Sequence, residues 1–189
     1  MNELRKVLTR FEKEGAALGH FNVADLVLLK SVFTAAGEIR VPVLVGASEG
    51  ERDFFGTRQL AALVKSLREE SGLPVFLNAD HTHSLTKAME AANAGFDAVG
   101  IDFSALPFEQ NVSRTKEAVE AIKAINPAIL AEGEIGDIGT GSEIHEILGN
   151  TGNARAGSAN WIAIAFLERD GRRHRSGVDR SRDDGIREK

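Results

Sequence analysis

Short apolar runs alternate along this chain with longer segments in which apolar residues recur at helical spacing. The runs are bounded by glycine, proline or polar residues, as is typical of buried strands, and they cover residues 16–23, 41–48, 74–83, 97–101 and 128–135. The helical segments present four apolar faces, formed by Leu26, Leu29, Phe33 and Ala36, by Leu60, Leu63, Val64 and Leu67, by Leu85, Ala88, Met89 and Ala92, and by Val112, Val119 and Ile122. The stretch between the second strand and its helix is interpreted as a polar loop. The pattern therefore predicts five strands alternating with four helices.

Strands that alternate with helices of this length pair in parallel through right-handed crossovers, either in a doubly wound sheet or in a (β/α)₈ barrel. Polar residues at or just past the carboxyl ends of the strands favour the barrel, and they are Asn22, Ser48, Asp80, Asp102 and Glu134. A barrel gathers such residues on one face, whereas in an open sheet several would point away from a common crevice. We therefore expect an α/β fold of the TIM (β/α)₈-barrel type.

The barrel is expected to be incomplete, with about five βα units and an atypical tail. The strand ends recur about every 28 residues, so three further units would need about 84 residues, but only 55 follow Glu134. We divide the chain into residues 1–146, the N-terminal part of a barrel, and 147–189, an arginine-rich tail with a net charge of +3. Residues 169–180 have no hydrophobic period and predict disorder, and only 161–167 would suit a buried strand or short helix.

Composition excludes several classes of protein and partner. A formal charge of −5 argues against nucleic acid or an anionic membrane as a partner of the whole surface. The absence of cysteine excludes disulfides and thiolate metal ligands. No apolar run approaches the ~18 residues of a membrane span, and the first ten residues lack the apolar core of a signal peptide. A cytoplasmic protein is the simplest expectation.

Asp80 and His81 are the first candidates for chemistry. Adjacent residues on an ideal strand face opposite ways, but at a strand end the backbone turns and both side chains can reach one site. The alternative is an ordinary loop histidine, and the dipeptide alone does not decide between them. His83 could pair with His81 as a zinc ligand or be a surface imidazole at a helix start, and the second interpretation is favoured.

Glu132 and Glu134 are predicted to face the same side of the fifth strand. A buried carboxylate is costly unless it binds a metal or a hydrogen-bond donor, so this pair indicates either a site or a capped backbone. The glycine-rich stretch 136–142 could offer backbone amides to an anion or could simply be a mobile loop.

Six segments, taken together, resemble the metal-dependent class II ketose-bisphosphate aldolases. They are Phe-Asn-Val at 21–23, Gly-Ala-Ser-Glu-Gly-Glu-Arg-Asp-Phe at 46–54, Asn-Ala-Asp-His at 78–81, Gly-Phe-Asp-Ala-Val at 95–99, Leu-Pro-Phe-Glu-Gln-Asn at 106–111 and Glu-Gly-Glu-Ile-Gly at 132–136. Their order and spacing match over about residues 16–146. The resemblance implies a (β/α)₈ barrel that reversibly cleaves fructose 1,6-bisphosphate, or a similar ketose bisphosphate, to dihydroxyacetone phosphate and glyceraldehyde 3-phosphate.

The resemblance also implies roles for individual residues. His81 is similar to the family's first zinc ligand, and Asp80 to the acid/base that takes the proton of the substrate C4 hydroxyl. Glu134 and Asp102 resemble carboxylates at the metal, and Asn22 and Ser48 resemble substrate-positioning groups. The implied cofactor is Zn²⁺ or another divalent metal, and the implied substrate is a phosphorylated sugar. An open barrel would expose an unpaired strand edge, so self-association, and a homo-oligomer if the full-length fold forms, is expected.

The family pattern is lost after Glu146. The family's later zinc-binding histidines and its glycine- and serine-containing phosphate site have no counterpart here, because His145 lies in a polar stretch and His174 lies among arginines. An abrupt loss of pattern followed by an arginine-rich, aperiodic tail is what a coding frameshift would produce. The alternative hypothesis is therefore a truncated or frameshifted, non-catalytic aldolase homologue that lacks the full metal and phosphate sites.

Overall fold

Five parallel strands form the centre of the computed structural model, which describes residues 3–134, 165–167 and 173–175. Each strand pairs with the next one along the chain, without a reversal of order, and the strands are β1 (Gly19–Asn22), β2 (Val43–Ala47), β3 (Val75–Thr82), β4 (Ala98–Ile101) and β5 (Leu130–Gly133). A doubly wound sheet would reverse its strand order at a switch point, whereas a barrel keeps the order of the chain. The predicted α/β fold of the barrel type, with about five βα units, is confirmed.

Among the described residues, six helices accompany these strands: α1 (Glu3–Glu14), α2 (Leu26–Ile39), α3 (Glu49–Phe55), α4 (Thr57–Ser71), α5 (Leu85–Ala94) and α6 (Phe108–Ile125). Asp25 and Ser84 cap α2 and α5, because each side chain accepts a hydrogen bond from a backbone N–H of the first turn. The four predicted helices correspond to α2, α4, α5 and α6. Helices α1 and α3 were not predicted.

The interpretation of residues 49–59 as a polar loop is wrong for most of that stretch. Ser48 and Glu51 form a reciprocal capping box: the Ser48 hydroxyl accepts from the backbone N–H of Glu51, and the Glu51 carboxylate accepts from the backbone N–H of Ser48. Two backbone donors that a helix start leaves without partners are thereby satisfied. This local chemistry allows a short helix to form in a segment that lacks a strong apolar stripe.

The apolar core lies between the sheet and the helices. Alternate strand residues, including Val45, Leu77 and Val99, face this core and contact buried side chains of the helices such as Leu60 and Ile122. Residues one position out of step face the other side of the sheet, which is the barrel interior. The polar residues at the strand ends continue this second, interior set.

Helix α1 covers the amino-terminal end of that interior. Leu4 is buried in a second apolar cluster with Phe76 of β3, Ala98 of β4 and Leu130 of β5. Val7 and Leu8 pack against the same cluster, so the first helix presents residues at i, i+3 and i+4 to it. The amino end of the barrel interior is therefore closed by apolar side chains, and polar residues gather at the other end.

Two short strands continue the sheet beyond β5. β6 (Ala165–Leu167) pairs antiparallel with β5, and β7 (Arg173–Arg175) pairs antiparallel with β6. β6 lies within the apolar segment predicted as a strand or short helix, whereas β7 lies within the segment predicted to be disordered. The division at residue 146 stays a prediction. None of the helices in the described part of the chain has the length and apolar character needed to cross a bilayer.

Candidate metal and acid–base site

The end of β3 departs from regular strand geometry at His81. The register with β4 shifts between Ala79 and Thr82, and His81 has a φ of 44°, in the left-handed region. A non-glycine residue held there costs of order 1–3 kcal/mol, and it persists only where surrounding contacts hold it in place. Because of this turn, Asp80 bonds to a residue of β1, while His81 contacts carboxylates beyond β4 and β5. The two adjacent side chains therefore serve the same interior.

The three predicted metal ligands converge. Nδ1 of His81 lies 3.0 Å from Oδ2 of Asp102 and 3.1 Å from Oε1 of Glu134, and one ligand atom from each residue lies within 4.8 Å of the others. Asp102 is held by the backbone N–H and the hydroxyl of Ser104, at 3.0 and 2.5 Å. Glu134 is only 8 % exposed. An imidazole and two carboxylates in this arrangement form a donor set that suits a divalent cation.

The electrostatics of the three groups also favour a cation. Burial raises the pKa of Glu134 to about 7, and the neighbouring charge of Asp102 acts in the same direction. Burial opposes the charged imidazole, but the Asp102 hydrogen bond and the surrounding carboxylates outweigh it, so the pKa of His81 is raised. Burial also opposes ionisation of Asp102, yet hydrogen bonds from Ser104 and His81 leave its pKa lowered. Positive charge is stabilised at this point, whether a proton or a metal ion supplies it.

Asp80 lies next to this group without belonging to it. Its Oδ2 accepts a hydrogen bond of 2.8 Å from Nδ2 of Asn22, which lies at the carboxyl end of β1. Asp80 also interacts with Glu132 of β5. Burial raises the pKa of Glu132 to about 7, and the negative charge of Asp80 adds to this effect. Asp80 is therefore a carboxylate held in place by Asn22 beside the group formed by His81, Asp102 and Glu134.

Ser48 follows the end of β2, as predicted, but its hydroxyl has a structural partner. It accepts a 3.3 Å hydrogen bond from the backbone N–H of Glu51 as the cap of α3. A hydroxyl that accepts from a backbone amide still has its own proton to donate. The predicted substrate role of Ser48 therefore stays a prediction, alongside a capping role that the structure supplies.

Two residues of the site were not singled out from the sequence. Arg52 on α3 is buried and donates hydrogen bonds to the carbonyl oxygen of Asp80 and to the hydroxyl of Thr82. His20 on β1 shares with Asn22 the space left by the missing side chain of Gly46, and burial lowers its pKa. Recognition of the Ser-x-x-Glu capping box would have placed Arg52 one turn into a helix that starts at the end of β2.

His83 lies at the rim of the site. Its ring is stacked on His81 with centroids 6.5 Å apart, and its Nε2 lies 3.6 Å from Oδ2 of Asp102. It precedes α5 and its side chain is 57 % exposed, which agrees with the surface interpretation. The glycine-rich stretch 136–142, His145 and the side chain of His174 lie outside the described residues.

Known proteins resemble this chain in sequence. The model of a family described as "Fructose-bisphosphate aldolase class-II" matches residues 2–166. This match extends beyond Glu146, where the motifs recognised in the sequence end. The chain is 35 % identical over 139 residues to "Probable fructose-bisphosphate aldolase" of Bacillus subtilis (strain 168), covering 72 % of this chain and 48 % of the relative. It is 34 % identical over 139 residues to "6-phospho-5-dehydro-2-deoxy-D-gluconate aldolase" of Bacillus licheniformis, covering 72 % of this chain and 47 % of the relative.

Solved structures agree with the sequence comparison. The YdjI aldolase from Escherichia coli K12 is similar with a TM-score of 0.65 at 27 % identity, over 71 % of this chain and 50 % of that one. The chain thus spans about half the length of the curated relatives and of the solved structure that it matches.

Proposed function

The chain belongs to the class II fructose-bisphosphate aldolase family, and on that premise we propose that its site serves a reversible aldol cleavage of a phosphorylated ketose. Asp80 is the acid/base, and His81, Asp102 and Glu134 hold a divalent metal ion. The observation that carries the proposal is the convergence of those three ligands beside a carboxylate that is not one of them. An aldol lyase of this kind needs both an electrophile at the carbonyl and a separate base at the hydroxyl.

The metal is proposed to be Zn²⁺, for which a mixed set of imidazole and carboxylate ligands is suitable. When bound, a divalent cation supplies Lewis acidity toward a ketose carbonyl and the adjacent hydroxyl, so a Schiff-base lysine is not required. One imidazole and two carboxylates leave coordination positions for further ligands. Oxygen atoms of the substrate would occupy those positions.

Proton transfer is assigned to Asp80. Its carboxylate accepts the proton of the substrate C4 hydroxyl, and the released O–H electron pair forms the aldehyde carbonyl as the C3–C4 bond breaks. The electron pair of that bond stays on C3, where a later protonation completes dihydroxyacetone phosphate. In the condensation direction the same carboxyl group gives its proton to the aldehyde oxygen as the C3–C4 bond forms, which makes the C4 hydroxyl. Asn22 orients Asp80 through the 2.8 Å hydrogen bond, and Ser48 is proposed to donate its remaining proton to the substrate.

Fructose 1,6-bisphosphate is the proposed substrate, with glyceraldehyde 3-phosphate as the aldehyde product. The name of the Bacillus subtilis relative supports this choice, whereas the Bacillus licheniformis relative carries the name of a different phosphorylated substrate. Both compounds therefore belong in the assay.

We also propose a cytoplasmic location without nucleic-acid or membrane partners, supported by the net charge of −5. Homo-oligomerisation is supported by β1, which has one strand neighbour among the described residues.

A second candidate is a non-catalytic homologue, truncated or frameshifted. One observation supports it: β6 pairs antiparallel with β5 where a barrel would add a parallel strand.

Release of dihydroxyacetone phosphate from fructose 1,6-bisphosphate, measured on the whole chain with added Zn²⁺, separates the two candidates. The lyase proposal expects metal-dependent turnover that Asp80→Asn lowers by at least a hundredfold, as is usual for loss of a general acid/base. His81→Ala is expected to abolish the activity, and added Zn²⁺ should not restore it. Turnover that survives both changes contradicts the assigned roles. Zn²⁺ binding without turnover of either substrate favours the non-catalytic homologue.

A further inference from the structure

Arg52 is a buried cation that the proposed chemistry does not use. Its side chain is 1 % exposed, and none of the ion pairs formed by the described residues includes it. Burial lowers the pKa of Arg52, although the charges of Glu49 and Asp80 work against that effect. Removing a guanidinium from water is costly unless its donors are satisfied by well-placed acceptors. Arg52 therefore needs a structural explanation.

The acceptors of Arg52 connect the ends of two neighbouring strands. Its Nη1 donates to the backbone carbonyl of Ala47, the last residue of β2, and to the backbone carbonyl of Asp80 at 2.9 Å. Its Nη2 donates to Oγ1 of Thr82 at 3.0 Å, and Thr82 is fully buried. The planar fork of a guanidinium can serve such separated acceptors at once, which a lysine ammonium cannot do in the same geometry.

The two acceptors on β3 lie on either side of His81. Asp80 and Thr82 flank the residue whose φ is 44°, within the segment where the register with β4 shifts. A strained residue of this kind persists only when the surrounding contacts hold it there. Arg52 donates to the backbone carbonyl of Asp80 before His81 and to the side chain of Thr82 after it. These hydrogen bonds hold the left-handed turn on both sides of His81.

We propose that Arg52 is a positioning residue that holds His81 in the turn facing Asp102 and Glu134, and that it thereby sets the affinity of this group for a divalent cation. The inference deepens the proposed function, because it rests on the metal role of those three residues. Arg52 acts through the backbone at His81 and does not touch substrate or metal. Groups that orient a metal ligand usually contribute 10- to 100-fold to metal affinity.

The test is calorimetric titration of the whole chain with Zn²⁺, comparing wild type with Arg52→Met and Arg52→Lys. Arg52→Met is expected to bind about 10- to 100-fold more weakly, and Arg52→Lys to lie between the two. Arg68→Met is the matched control, because Arg68 is a partly buried arginine that pairs with Asp97 at the opposite end of the sheet. It is expected to lower stability and leave Zn²⁺ affinity unchanged. A folded Arg52→Met protein with wild-type affinity overturns the inference.

Substitutions of Thr82 provide a second test, in which Arg52 itself is unchanged. Thr82→Val removes the acceptor of Arg52 at nearly constant volume, whereas Thr82→Ser retains it, so only the valine variant should bind Zn²⁺ more weakly. If Arg52→Met does not fold, this pair decides, and equal affinity of the two Thr82 variants overturns the inference.

Metal-free protein supplies a readout that is independent of the proposed metal. Nuclear Overhauser contacts between the His81 ring and the Asp102 methylene should be present in wild type and lost in Thr82→Val and Arg52→Met. Contacts retained in either folded variant contradict the inference. Failure of wild type to bind Zn²⁺ while these contacts are lost in the variants would count against the metal assignment and not against the positioning role.

Discussion

Nδ2 of Asn22 donates a 2.8 Å hydrogen bond to Oδ2 of Asp80, so a residue of β1 orients a residue of β3 across the strand between them. A hydrogen bond to a charged group typically contributes about 1.5–3 kcal/mol. We expect Asn22→Ala to lower kcat/KM of the proposed aldol cleavage roughly 10- to 100-fold, by the conversion of that energy into rate. Asn93→Ala, which removes an asparagine that donates to a carbonyl of its own helix, α5, is the control and should leave steady-state kinetics unchanged. Equal kinetics of the two variants would exclude the orienting role.

Gly46 makes this contact possible. A Cβ added at Gly46 would clash with Oδ1 of Asn22 and Nε2 of His20, which both occupy the space beside it. We expect Gly46→Ala to displace both side chains and to lower activity as much as Asn22→Ala, with only a small loss of stability, because the two clashing atoms are ends of exposed side chains that can move. Gly50→Ala is the matched control, since a Cβ there meets no atom within 4 Å, and it should raise the stability of α3 slightly. Chemical denaturation and the cleavage assay give both numbers.

Ser48 combines two roles that different substitutions separate. Ser48→Ala removes the cap of α3 and should cost about 1 kcal/mol of unfolding free energy. Ser48→Asp restores a capping acceptor without restoring a hydroxyl proton, so stability should return toward wild type. If the hydroxyl also positions substrate, KM stays raised in both variants. A KM that recovers with the cap would leave Ser48 with the structural role alone.

Glu132 should make stability depend on pH in a specific window. Its pKa is about 7 in the folded chain, because of burial and then the charge of Asp80, against 4.5 ordinarily. Between these values the folded state binds more protons than the unfolded state, so stability falls as pH rises from 4.5 to 7 and the full penalty remains above 7. Glu132→Gln should therefore raise the unfolding free energy by about 1–3 kcal/mol at pH 8 and by little at pH 4.

Urea denaturation in the presence of EDTA at several pH values measures this difference. Glu120→Gln is the matched control for the substitution itself, because Glu120 is an exposed glutamate on α6. A Glu132→Gln difference that is constant from pH 4 to pH 8 would contradict the assigned titration.

Metal binding should itself stabilise the fold. At a free Zn²⁺ concentration 100 times Kd, binding to the folded state alone adds about 2.7 kcal/mol of stability. Thermal unfolding should shift upward with Zn²⁺ in wild type and in Ser48→Ala, and should not shift in Glu134→Ala or His81→Ala. A shift that persists in both ligand variants would place the metal elsewhere.

The strands of this protein were predictable because apolar runs bounded by glycine and proline depend on short stretches of sequence. The gathering of Asp102 and Glu134 on one face was predictable from their positions at strand ends, whereas their grouping with His81 as metal ligands came only from the family resemblance. The sequence left the turn at His81 open, since strict alternation places Asp80 and His81 on opposite sides unless the backbone turns, and the contact of Arg52 with this turn comes from a residue distant in the chain. Helix α3 escaped prediction because its start depends on a capping box and its polar composition is typical of a loop.

Helix α1 connects the beginning of the chain to the end of the parallel sheet. Leu4 shares its apolar cluster with Leu130 of β5, so the helix finds its full burial only after all five parallel strands have assembled. Contacts between residues so distant in sequence form late, because the loop-closure entropy of the intervening chain is lost first. During refolding, protease protection of the first turn of α1 is therefore expected to appear when the sheet is complete. A spectroscopic label on this helix would report on assembly of the whole parallel sheet better than a label on any single βα unit.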